Sequence, residues 1–253
     1  MHTYNRECIL YTNMYVCKQL FAVFNQIYIQ NVFHSQLIVT VIMVRKTKED
    51  AEITRQRIIN AAREVFLTKG VSRTSLEQIA THAGVTRGAV YWHFENKTQL
   101  FHAMREQVFL PLIDRMDGTL LADLDKENNP DADPLKRIEN FLQGTIQVLN
   151  DHQETRQTYE VMMTKCEYVD EFATVLQQIL NNCSGMVEKL EQVYARALQK
   201  GLINPSHSPS QLAMDTHLFF SGLLHMWVKD SDGSRFRNQA HTLISAHVNL
   251  RRK

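Results

Sequence analysis

Cysteine is scarce in this chain, and the signatures of catalysis are missing. Four cysteines in 253 residues are too few for a disulfide scaffold, and such usage fits a reducing cytoplasm. Cys166 and Cys183 stand in no metal-type spacing with histidine. On one straight helix they would lie roughly 25 Å apart, far beyond bridging distance. Eleven histidines are scattered without ligand spacing, and there is no His-Glu-x-x-His, phosphate-binding glycine loop or nucleophile elbow. No enzyme chemistry, metal or cofactor is therefore implied. Long apolar runs are lacking too. The stretch 20–44 is interrupted by Asn25, Gln26, Gln30, Asn31, His34 and Gln36, short of the roughly 20 mostly apolar residues that a membrane helix needs.

Residues 1–42 lack glycine, proline and nearly all charge, carrying only Arg6, Glu7 and Lys18. They have no small-residue cleavage site of a secretory signal. An amphipathic helix for a partner or membrane surface is one reading. The abundance of Phe, Ile, Tyr and Asn, residues of AT-rich codons, favours another. Residues 1–42 are expected to be translated upstream sequence, a non-native or disordered extension, with the natural start at Met43.

The net charge of +1 conceals an asymmetry. Residues 44–105 hold eleven Lys and Arg against six Asp and Glu, and residues 106–253 are net acidic. A basic block of this kind is the electrostatic footprint of phosphate binding. Arg45, Lys46 and Lys48 fit either an arm reaching a DNA backbone or minor groove, or a solvated terminus.

Within that block the periodicity predicts three short helices. Ile58, Ala62, Val65 and Phe66 recur at helical spacing up to a stop at Gly70. Thr74 and Glu77 fit a capping box for a second helix whose inner face is Leu76, Ile79 and Ala80. Gly84 supplies a tight turn, and Thr86 caps a third helix. Two helices joined by a short glycine turn match a helix-turn-helix, whose second helix enters the major groove of DNA. Val85, Ala89 and Phe94 are assigned to the inner side of the third helix, with Trp92 open to either side. Thr86, Arg87, Gly88, Tyr91 and His93 are assigned to its outer side. Arg87 suits a guanine edge or a phosphate, and Gly88 lets backbone approach closely. Tyr91 and His93 suit phosphate oxygens, and Lys97 meets a phosphate behind the Asn96 cap of the next helix.

Residues 54–100, with the run Thr86-Arg87-Gly88-Ala89-Val90-Tyr91-Trp92-His93-Phe94, resemble the DNA-binding domain of the TetR family of repressors. The opening Met43-Val44-Arg45-Lys46-Thr47-Lys48 and the Tyr-Trp-His-Phe variant are similar, more narrowly, to AcrR-type members that govern multidrug efflux. The resemblance implies an all-α homodimer, DNA contacts at Ser75, Thr86, Arg87, Gly88, Tyr91, His93 and Lys97, and a C-terminal domain that binds an inducer. The expected organisation is the extension 1–42, a DNA-binding domain 43–100, and a ligand-binding and dimerisation domain 101–253.

In the C-terminal part a helix from Asn96 runs through Leu100, Met104 and Val108, and Pro111 is expected to kink or break it. Residues 125–133 read as a loop, and Asp133-Pro134 as a helix start. A stripe of Phe172, Leu176, Ile179, Cys183, Met186, Leu190, Val193 and Ala197 predicts a long helix ended by Gly201. Ser208 to Gln211 reads as a second capping box. The following helix is apolar on more than one face, and the last has Phe236, Ala240, Leu243, Ile244 and His247 on one side. These two helices resemble in position the family's dimer interface, with Phe220, Gly222 and Trp227 near it. Tyr159, Met162, Met163 and Cys166 from one segment, with His217, Phe220 and Leu224 from another, are candidates to line a pocket for a small hydrophobic inducer. The leading reading is a cytoplasmic repressor bound to double-stranded operator DNA and released by such a ligand. Alternatives are a ligand-independent DNA-binding activator or architectural factor, and an all-helical enzyme or transport accessory.

Overall fold

The structure, a computed structural model, describes residues 47–121 and 133–253, with the backbone alone for 109–115 and 117. The expectations for residues 1–42, for Arg45 and Lys46, and for the polar stretch up to residue 132 lie outside these residues. The chain divides into two units, Met1–Arg55 and Gln56–Lys253. In the first, residues 47–55 are helical, and Lys48 is exposed.

The second unit is helical throughout its described elements, apart from an isolated antiparallel bridge between Ile203 and Arg252. Helix α1 covers 56–69, and α2 Leu76–Ala83, α3 Arg87–His93 and α4 Lys97–Met116 follow. A π-helical turn Asp117–Leu121 extends α4. After the gap come α5 Pro134–Asp151, α6 Gln153–Glu160, a π-helical turn Val161–Lys165, a 3-10 turn Asp170–Phe172, and α7 Ala173–Gln199. Helices α8 Pro209–Lys229 and α9 Ala240–Asn249 close the fold.

Two cores form. The first gathers Ile58, Ala62 and Phe66 of α1, Leu76 and Ile79 of α2, Val90 and Phe94 around α3, and Leu100 and Met104 of α4. Val161, Met162, Phe172 and Val175 join it from the later chain. The second is built by α5, α7, α8 and α9, with Tyr194 and Trp227 among its fully buried side chains. Each fully buried aliphatic or aromatic side chain contributes about 1.5–3 kcal/mol, so the apolar spacing of these helices dominates their placement.

Local chemistry sets the ends. Asp133 accepts from the Leu135 amide with Pro134 in the first turn of α5. Gly84 takes φ 64°, where a side chain is strained, and a Cβ there would also sit 3.4 Å from the Arg57 guanidinium. Gly201, at φ 68°, ends α7, and the Leu202 amide bonds back to the Ala197 carbonyl. Three expectations are corrected. The box capping α2 is Ser75 with Gln78, not Thr74 with Glu77, because the Thr74 hydroxyl donates to the Gly70 carbonyl at 2.7 Å. Ser208 is the N-cap of α8 but forms no side-chain cap bond, its hydroxyl meeting Ser210 instead. Helix α4 continues five residues past Pro111, since a proline removes one amide bond and the flanking turns carry the rest.

A buried relay ties α7, α8 and α9. The Tyr194 hydroxyl lies 2.7 Å from Thr216 Oγ1, which lies 3.1 Å from His247 Nε2. The His247 ring stacks on Phe219 with centroids 3.8 Å apart. Burial, with the nearby Arg251 cation adding to it and Asp215 opposing it, pushes the imidazole down to about 4. In the neutral ring protonated at Nδ1, Nε2 can accept from Thr216, whose oxygen then accepts from Tyr194. A protonated ring would turn both hydroxyls round. Because the folded pKa lies below the unfolded one, the unfolded chain binds more protons between them, and stability falls on acidification. His247 alone is expected to remove about 2 kcal/mol by pH 5, with the loss beginning below about pH 6.5. Urea unfolding of wild type and His247→Gln between pH 7 and 5 checks this. An equal pH slope in the variant would exclude His247 as the source.

Candidate nucleic-acid interface

The interface is built from two capped helices. The Ser75 hydroxyl accepts from the Gln78 amide at 3.3 Å, while Gln78 accepts from the Ser75 amide at 3.2 Å. Thr86 accepts from the Ala89 amide at 3.1 Å. Both hydroxyls keep their own proton to donate, on an exposed surface. Arg57 closes the far end of α2, its guanidinium donating to the Ala83 carbonyl at 2.7 Å.

Helix α3 is held by Val90 and Phe94, one turn apart and buried. Arg87, Gly88 and Tyr91 are exposed. Arg87 and Tyr91 share one face, with the guanidinium 5.3 Å from the ring centroid. Arg87 also meets Glu77 of α2 at 2.6 Å. An exposed pair of this kind is worth about 0–1 kcal/mol, so the guanidinium is readily exchanged to a base or phosphate.

Trp92 falls on the outer side. It is 73 % exposed, because it lies two residues beyond Val90, roughly 200° round the helix. Its indole packs edge-on against the His93 ring at 4.5 Å. The inner residue of this turn is Val90, fully buried. A phase measured from the Val90–Phe94 pair would have found both.

His93 and Lys97 are set back. His93 is half-buried between Trp92 and Phe94. Lys97 is 15 % exposed, with its ammonium 3.5 Å from Glu171, 3.4 Å from the Ser72 carbonyl and 5.6 Å from the Phe172 ring centroid. Asn96 caps α4 through the Gln99 amide at 2.8 Å. The structure therefore brings Thr86, Arg87, Gly88 and Tyr91 onto one exposed surface, with Ser75 exposed at the start of α2. It holds Lys97 in a contact with the later chain.

The candidate pocket residues divide between the two cores. Tyr159, Phe220 and Leu224 are buried in the larger core, and Met163 packs against it. Met162 belongs to the first core, and Cys166 packs against that one. Met162 and Met163 part company within the π-helical turn. Burial pushes the Cys166 thiol up to about 12, against the pull of Lys97. His217 is half-buried, its Nδ1 3.2 Å from the Met186 sulfur, and burial lowers its pKa. Among the described residues no group of three or more His, Cys, Asp or Glu is placed to hold a metal ion. No helix among them is long and apolar enough to cross a membrane.

The segment from α6 to Lys165 is bonded to the DNA-reading helices. Arg63 of α1, 3 % exposed, donates to Thr158 at 3.1 Å and pairs with Glu154 at 3.6 Å. The Lys165 carbonyl accepts from the Val71 amide at 2.9 Å.

A capped helix-turn-helix followed by a helical body defines a DNA-binding regulator. Comparison with known proteins assigns it further. Residues 58–104 match the model of the bacterial regulatory proteins of the tetR family, and residues 133–252 that of the C-terminal region of MAATS-type transcriptional repressors. The chain is 33 % identical over 203 residues to the HTH-type transcriptional regulator AcrR of Shigella flexneri, covering 80 % of this chain and 91 % of that one. It resembles the crystal structure of NalD, the secondary repressor of the MexAB-OprM multidrug efflux pump in Pseudomonas aeruginosa. That match has a TM-score of 0.69 and 34 % identity over 79 % of this chain and 96 % of the other. A complex of SmeT with triclosan matches with a TM-score of 0.65 and 26 % identity, over 79 % and 92 %. The chain belongs to the TetR family of bacterial transcriptional repressors.

Proposed function

We propose that this protein is a homodimeric repressor of a multidrug efflux system, released from its operator by small, largely apolar ligands. The observation that carries the reading is the exposed face of α3, where Arg87 and Tyr91 stand together above a helix capped by Ser75. In this reading Ser75, Thr86, Arg87, Gly88 and Tyr91 meet DNA directly, Trp92 reaches the backbone beside them, and His93 and Lys97 orient the edge of the surface. The likeness to NalD, a repressor of a multidrug efflux pump, supports efflux genes as the target.

Dimerisation is supported by α8. Met214, Leu218 and Met226 are exposed by 48, 62 and 39 %, spaced in fours with Gly222 in the same row. Leu243 of α9 is also exposed. Phe220 and Trp227, expected near this interface, lie instead in the core of the single chain. A second copy covering this row places two recognition helices on one face of DNA, as a two-fold site requires.

Induction is supported by the segment 153–165. It contributes Tyr159 and Met163 to the larger core and is bonded through Thr158 and Lys165 to α1 and the loop before α2. A ligand that enlarges the space around Tyr159, Met163, Phe220 and Leu224 shifts this segment and the operator affinity with it. The ligand must prefer the DNA-incompetent state, and a coupling of about 1–3 kcal/mol changes affinity roughly 5- to 150-fold. The test is operator binding by fluorescence anisotropy across hydrophobic antimicrobials, triclosan among them. Met163→Phe is expected to blunt release and to leave affinity without drug within about twofold. Drugs that bind by calorimetry without changing operator affinity would refute induction and leave the DNA reading standing.

A further inference from the structure

Away from the exposed face of α3, an open cleft of about 520 Å³ is lined by Leu67 of α1, α6, the π-helical turn, the end of α8 and the loop before α9. Arg156, Lys165, Lys229 and Arg237 line it with one carboxylate, Glu160. None of these five forms an ion pair among the described residues. Two of the cations are fixed in place. Arg156 donates through Nη1 to the Leu149 carbonyl at 3.0 Å and to Asn150 at 3.3 Å. Arg237 donates through Nε to the Trp227 carbonyl at 2.9 Å and lies with its guanidinium 4.5 Å from the centroid of the indole. Each guanidinium keeps donors that have no protein acceptor among the described residues, in the planar arrangement that suits carboxylate and phosphate.

Four cations against the one carboxylate of Glu160 leave the cleft net positive, a repulsion that a bound multivalent anion relieves. The volume is that of a small-molecule site, and charged and polar residues outnumber the apolar Leu67 and Val228 in its lining. We propose that this cleft binds a small multivalent anion, a phosphorylated or polycarboxylate metabolite, and that its occupancy adjusts operator affinity. The second part rests on Lys165, which lines the cleft and holds the Val71 amide, ahead of α2, with its carbonyl. Such a site is separate in place and chemistry from the hydrophobic inducer site.

The experiment titrates the full chain with inorganic pyrophosphate by calorimetry at fixed low ionic strength, with sodium chloride as the control. One pyrophosphate is expected to bind per chain. Lys229→Glu and Lys165→Glu, both on partly or fully exposed side chains, are expected to weaken it at least tenfold. Tyr91→Ala is expected to leave it unchanged, which separates this cleft from the DNA surface. Absence of binding, unchanged binding in both charge reversals, or loss in Tyr91→Ala would each overturn the site. Operator affinity measured with and without pyrophosphate is expected to differ in wild type and not in Lys229→Glu. Equal affinities in pyrophosphate-bound wild type would overturn the regulatory part.

Discussion

Operator affinity is expected to fall by roughly ten- to a hundredfold when Arg87 or Tyr91 is replaced with Ala, an effect of about 1–3 kcal/mol per contact. Both side chains are exposed on α3 and neither supports the first core, so the fold should survive each change. The two variants should differ in kind. Arg87→Ala relaxes base preference if the guanidinium reads guanine, and also frees Glu77, which then faces DNA as an unpaired carboxylate. Glu77→Gln tests that contribution. Tyr91→Ala should weaken binding to all sequences alike, as loss of a phosphate contact does. Lys97→Ala should lower the salt slope by about one if the ammonium leaves Glu171 for a phosphate. An unaltered slope would assign Lys97 to joining α4 with Glu171. Normal operator affinity in folded Tyr91→Ala protein would remove α3 from the interface.

Leu218→Glu should produce a monomer, with loss of tight operator binding. Leu218 is 62 % exposed in the single chain, so the substitution costs the isolated fold little. Across a two-fold axis it sets two carboxylates near one another in an apolar seam, a juxtaposition that costs several kcal/mol. Gly222→Leu should act in the same direction by overpacking, at about 1–3 kcal/mol, because a Cβ there meets nothing within 4 Å in one chain. Sedimentation gives the state of assembly, and thermal unfolding checks that the protomer is intact. A tight Leu218→Glu dimer with normal DNA affinity would move the interface off this row of α8.

Much of the fold was legible because its signals are local. Asp133 before Pro134, Thr86 three residues before Ala89, and Gly84 in the left-handed region each act over a few residues. Where two local solutions compete, the sequence does not choose. Thr74 with Glu77 and Ser75 with Gln78 are both plausible boxes, and the bond from Thr74 to the Gly70 carbonyl decides between them. Helix α8 shows the same limit at larger scale. Its apolar residues cover several faces, and only packing against α7 separates Phe220 and Trp227, turned inward, from Met214 and Leu218, turned outward. Along α7 the stripe buries Leu190, Val193 and Ala197, but Leu176 is 38 % exposed and Val175 is the buried neighbour. The outward placement of Arg87, Gly88 and Tyr91 was legible in the order of cap and glycine along α3, whereas Ser75 entered as a candidate through the family resemblance alone. The candidate pocket did not follow as well. Met162 and Met163 are adjacent, so they point roughly 100° apart on a helix, and they enter different cores, a division set by what packs on each side.

The central claim is that a two-fold dimer reads DNA through α3. The most direct test is footprinting of the full chain on the DNA flanking its own gene, at several salt concentrations. Two protected half-sites related by two-fold symmetry are expected, with centres about one helical turn apart or a multiple of it. Their occupancy should fall steeply with salt and vanish in Tyr91→Ala. A footprint without symmetry, or one that Tyr91→Ala leaves intact, would contradict the account.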